Sequence, residues 1–148
     1  MLKQLGLTLL TAAAGSTSKE FSISGVIAII ATGVTGWLGG WDKGVQVLLY
    51  LIALDYVTGL LYAVKIRKVD SDVMFWGGIR KAVVLAVIGL ATQIDPWLDL
   101  NGICRTGAIF FYISREGLSV IENLGKLNVL VPDVIKDKLQ QVKGDGEK

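Results

Sequence analysis

Long runs without a charged side chain alternate along this sequence with short stretches that carry several. Ser22 to Gly40 has no charge and is about long enough to cross a hydrocarbon core of roughly 30 Å. Trp37 and Trp41 stand at its end, where interfacial aromatics often sit. Ser24, Ala28, Thr32, Gly36 and Gly40 recur every four residues. Such a ridge of small side chains lets a second helix approach closely in lipid. After the turn "WDKG", a second apolar run extends from Gly44 to Val64, interrupted by Asp55. Thr58, Gly59 and Tyr62 share its helical face. Ala82 to Ile94 is a third run, short for a full crossing. Lys81 can snorkel at one end. Trp97 and Leu98 can extend the other, and Pro96 is expected to kink or end the helix. The fourth segment, Gly102 to Leu124, is uncharged only over Thr106 to Ser114, then places Arg115, Glu116 and Glu122 in its second half.

These patterns predict an all-α, polytopic membrane protein with about four transmembrane helices, three being the alternative. The spans fall near 22–40, 44–64, 79–98 and 102–124. Residues 1–21 read as a short surface helix or linker. The N-terminal "MLKQLGLTLLTAAAG" resembles a secretory leader only loosely, because its charged region is thin and Thr8 breaks its apolar run. In the tail, 125–148, Ile135, Leu139 and Val142 mark one apolar stripe on a short charged helix. That helix would lie on the membrane surface or pair with its copies, and "KGDGEK" reads as disordered. Charge sets the orientation. The segment between the second and third runs carries Lys65, Arg67, Lys68, Arg80 and Lys81 against Asp70 and Asp72, and basic loops stay in the cytoplasm. Four crossings put this loop and both termini inside and the Asp-bearing turns outside. Three would turn the lysine-rich tail outward.

Composition agrees. Of 148 residues, 52% are hydrophobic, and the mean hydropathy of +0.56 exceeds that of ordinary soluble domains. A net charge of +2 is too small to suggest a nucleic-acid partner. Histidine is absent and cysteine occurs once, at Cys104, which leaves no intrachain disulfide and no zinc set. No Ser/His or Cys/His pair exists for nucleophilic chemistry, and Gly77-Gly78 lacks the Lys-Ser/Thr ending of a phosphate loop. No enzyme, metal or cofactor is expected. The polar residues inside the apolar helices carry the chemistry instead. Asp55 lies about 16 Å from the outer end of its span, Arg105 about 6 Å and Arg115 about 21 Å from the outer end of theirs. That match in depth predicts an Asp55–Arg115 pair, within one chain or between neighbours. Glu116 and Asn123 share a second face of the last span; Arg115, Ser119 and Glu122 share an adjacent one. One pair cannot satisfy two polar sides, so a homo-oligomer or a water-filled lumen is implied.

The ordered set Asp55-Tyr56-x-Thr58-Gly59, Gly78-x-x-Lys81, Arg105-Thr106 and Glu116-Gly117-x-Ser119-x-x-Glu122-Asn123 resembles the phage holin and toxin-secretion holin family of Gram-positive bacteria and their phages. The likeness runs from about Trp37 to Leu139. Arg80 stands where the family often has Lys, and Asn128 where Gly is usual. The resemblance implies a protein that accumulates in the bacterial cytoplasmic membrane, assembles, and permeabilises it. An endolysin or a secreted toxin is then released. Two other readings fit the residues: a small proton-coupled drug transporter using Asp55, and a membrane scaffold recruiting partners through the basic loop and the tail.

Overall fold

In a computed structural model, residues 18–145 are described, with side chains over 23–141. The leader-like stretch lies outside the described residues. Five helices follow one another: α1 (Ser18–Trp37), α2 (Lys43–Lys65), α3 (Ser71–Trp97), α4 (Ile103–Lys126) and α5 (Asp133–Asp145). No strand occurs among the described residues, as the patterning predicts. The chain forms two compact units, Met1–Trp37 and Leu38–Lys148.

In the first unit, α1 carries Ser24, Ala28, Thr32 and Gly36 of the small-residue ridge. Gly40 falls past the helix end, at φ +116°, so the ridge is one step shorter than its spacing suggests.

In the second unit, α2, α3 and α4 run alternately up and down, joined by short turns. Asp42 starts α2 by accepting the Val45 N–H at 3.0 Å. Asp70 starts α3 by accepting the amides of Asp72 (2.8 Å) and Val73 (3.2 Å). This N-cap opens α3 eight residues earlier than the span expected from 79. The basic loop therefore shrinks to Ile66–Asp70, and Arg80 and Lys81 become helical. Pro96 sits in the last turn of α3 and the helix ends at Trp97, as a ring that blocks continuation requires.

Leu38, Val45, Leu48, Val84, Ile88 and Ile109 form the apolar core. Leu38 lies in the turn before α2, and the other five run from the middle of the helices toward that turn. Most of the remaining large apolar side chains point outward, among them Tyr50, Leu61, Val83, Leu90 and Phe110. α2 and α3 are long and apolar enough to cross a membrane, yet only 17% of each apolar window is buried within the protein. A soluble protein's core helices would be covered, so these faces need an apolar solvent. α4 falls short of the same apolar standard, and four crossings are not evident from the helices alone. Of its polar residues, Ser114 and Glu116 are buried against other helices, while Arg115 and Glu122 are exposed.

α5 folds back along α4. Ser114 Oγ donates to the Leu139 carbonyl at 2.6 Å, and the Leu139 side chain lies against Gly117, where a Cβ would come within 2.9 Å of it. Leu139 thus uses the predicted stripe to seat on α4, and helix continues through Lys143 to Asp145, into the stretch expected to be disordered.

Candidate functional site

Three helices bring their polar residues to one level. Asp55 is the thirteenth residue of α2, Lys81 the eleventh of α3 and Glu116 the fourteenth of α4. Each stands about 15 Å from the end of its helix nearest the Ile66–Asp70 loop. Lys81 Nζ donates to Asp55 Oδ2 at 2.5 Å and also to Glu116 Oε2. Asn123 Nδ2 donates to Asp55 Oδ1 at 3.0 Å and to Thr58 Oγ1 at 3.3 Å. The Thr58 hydroxyl donates to the Leu54 carbonyl at 2.8 Å. Asp55, Thr58 and Glu116 are buried. Burying a charge is costly unless it is paired and hydrogen-bonded, and no buried side-chain polar atom among the described residues lacks a partner.

The cation chosen by Asp55 differs from the one expected. Arg115 makes no ion pair with it; Lys81 does. The reason is the early start of α3, which carries Lys81 ten residues into a helix and turns it toward two carboxylates. It does not snorkel outward. Arg115 is exposed and lines a cavity beside the cluster, together with Ser119, Gly59 and Arg80. Glu122 is exposed and no ion pair among the described residues includes it. Tyr62 lies under Lys126, whose Nζ is 5.6 Å from the ring centroid. Lys65 Nζ reaches the Lys126 carbonyl at 3.0 Å. Arg67 and Lys68 stay on the loop, Arg67 at φ 55°.

Arg105 belongs to the opposite end. Its Nε donates to the Leu38 carbonyl at 2.6 Å and its Nη1 to Asp42 Oδ2 at 2.6 Å. It ties the 38–42 turn to α4 and does not join the inner polar cluster. Gly39 makes room: its φ is +83°, and a Cβ there would stand 2.5 Å from Arg105 Nε. The Asp42 carboxyl is held below its usual range, first by the Val45 N–H and further by Arg105, against the opposing effect of burial. Asp95, near the end of α3, is buried and accepts the Cys104 and Arg105 amides, each at 2.8 Å. It supplies the cap that Gly102, at the N-cap position without a side chain, cannot.

Apolar outer faces, an ionic cluster between the helices and an arginine-braced turn define a small helical membrane protein. Residues 32–144 match the model of the bacteriophage holin family, and the chain belongs to that family. It is 35% identical over 111 residues to a probable holin of Bacillus phage phi105, covering 75% of this chain and 82% of that one. It is 38% identical over 111 residues to the uncharacterized protein YqxH of Bacillus subtilis, covering 75% and 79%. It is 34% identical over 129 residues to the uncharacterized protein CPE0383 of Clostridium perfringens, covering 81% and 95%. No solved structure matches it.

Proposed function

We propose that the protein is a holin. It accumulates in the cytoplasmic membrane, oligomerises and permeabilises it, and so releases an endolysin or a secreted toxin. The observation that carries this reading is the mutually paired Asp55–Lys81–Glu116 cluster between helices whose outer faces are apolar. Such a chain can disperse in lipid because its charges answer one another.

A single copy offers no polar path from end to end. Beyond the cluster, Leu48, Ile88 and Ile109 fill the space between the helices, and Arg105 braces the turn beyond them. Permeation therefore requires copies to associate. Arg115 and Glu122, exposed on α4, and Ser119 beside them are the groups that would meet a neighbour or line water between copies. The small-residue face of α1 supplies a second surface for close packing.

Helix ends support the number of crossings. α4 is fastened to α2 near both ends, through Arg105–Asp42 and through Lys65–Lys126. If α2 spans the bilayer, α4 spans the same thickness despite its charges. With α1 this makes four spans and leaves the N-terminus and the connection from α4 to α5 in the cytoplasm, on the side of the basic loop.

Inducible expression in bacteria with a cytosolic endolysin tests the proposal. The expected result is abrupt loss of membrane potential followed by lysis. Drug resistance without lysis would favour the transporter, although the engagement of Asp55 by Lys81 and Asn123 weighs against a free proton-carrying carboxylate. Insertion with neither depolarisation nor lysis contradicts the holin reading.

A further inference from the structure

Beside the ionic cluster, a cavity of about 520 Å³ opens between α2, α3 and α4. Its size is that of a small-molecule site. Lys68, Arg80, Lys81 and Arg115 line it with three carboxylates, Asp55, Asp70 and Glu116. Asp70 is engaged by two backbone amides at the start of α3, and Asp55 and Glu116 are both engaged by Lys81. Among the described residues neither Arg80 nor Arg115 makes an ion pair, and both are exposed. Two guanidinium groups without partners, on separate helices facing one opening, form a fork suited to phosphate. Away from these groups the lining is apolar and aromatic, with Tyr56, Leu60, Met74 and Val83. Arg80 also marks the boundary along α3 between the polar loop and the apolar run from Ala82. Basic pockets between membrane helices on the cytoplasmic side recognise acidic lipid headgroups.

We propose that this cavity binds an anionic phospholipid, with its phosphate between Arg80 and Arg115 and one acyl chain against Tyr56 and Val83. The site requires helices in a bilayer but not lysis, so it stands apart from the holin reading. Occupied, it joins three helices through one molecule from the surrounding membrane.

Thermal unfolding of the full-length protein in mild detergent tests the site. Phosphatidylglycerol, phosphatidylcholine with the same chains, and inorganic phosphate are added in turn. Phosphatidylglycerol should raise the midpoint and the other two should not. R80Q/R115Q should weaken its apparent affinity at least about tenfold, by removing charge-assisted hydrogen bonds to phosphate. V83W keeps every cation, fills the slot, and should abolish the stabilisation as well. Equal stabilisation by phosphatidylcholine, a full effect from inorganic phosphate alone, or an undiminished effect in both variants would overturn the proposal.

Discussion

Lys81 is one cation shared by two buried carboxylates, Asp55 and Glu116. Removing it leaves both without a counter-charge. K81M should therefore destabilise the protein in detergent by about 3–5 kcal/mol, the usual cost of breaking a buried ion pair from one side. The triple variant D55N/K81M/E116Q removes all three charges and should recover much of that loss. Equal thermal midpoints for K81M and the wild type would show that the pairing contributes nothing. The same geometry separates two glutamates. Glu116 is part of the folded interior, so E116A should lower stability. Glu122 is exposed, so E122A should leave stability unchanged and delay lysis if this side of α4 meets another copy. Lysis timing and thermal midpoint, measured together, distinguish the two effects. Sequence alone singled out Asp55, Glu116 and Asn123 as polar residues of apolar helices and paired Asp55 with Arg115, whereas within one chain its cation is Lys81. Depths were compared between two helices only, and Lys81, beside Arg80 and a basic stretch, resembled an interfacial anchor.

At the scale of the element, the helix starts explain what periodicity could not. Asp95 and Asp70 occupy positions that look like ordinary polar turn residues, yet each accepts two amides at the beginning of a helix. D95A should cost about 0.5–2 kcal/mol, the range for losing such a cap, read as a lower unfolding midpoint. Asp42 adds a dependence on pH. Its native pKa is lowered from an ordinary 3.8. Its contribution to stability is thus fully present above that ordinary value and is lost as pH falls through the lower native one. D42N should be less stable than the wild type at neutral pH, and the difference should close in acid. A constant difference down to the acid limit would contradict this. The seat of α5 was half legible: the stripe of Ile135 and Leu139 is plain in the sequence, but its receiving surface, a glycine beside a serine on α4, carries no periodic signal. G117V should push Leu139 away, because even a Cβ comes within 2.9 Å of it. Faster proteolysis of the tail in G117V vesicles is the expected readout.

For the whole molecule, the pattern of charge-free runs was enough to specify an all-helical chain. The runs Gly44–Val64 and Ala82–Ile94 became the two helices long and apolar enough to cross a membrane, the second only because α3 starts well before its run. Less visible was how polarity is distributed along the second unit. Toward the 38–42 turn it is apolar inside and braced by Arg105; toward the Ile66–Asp70 loop it is ionic and open. That division follows from three helices meeting in register, which no single run reveals. It also explains how α4 can contain Arg115, Glu116 and Glu122 and still run beside two apolar helices from end to end. The central claim is that α4 crosses the membrane with them. Cys104, the chain's one cysteine, stands at the start of α4 beside the 38–42 turn, and Leu130, 97% exposed, lies beyond its other end. Before the onset of lysis, a membrane-impermeant maleimide added to intact cells should label Cys104. The variant C104S/L130C should react only after the cells are opened. Labelling of both positions from the same side would contradict the account.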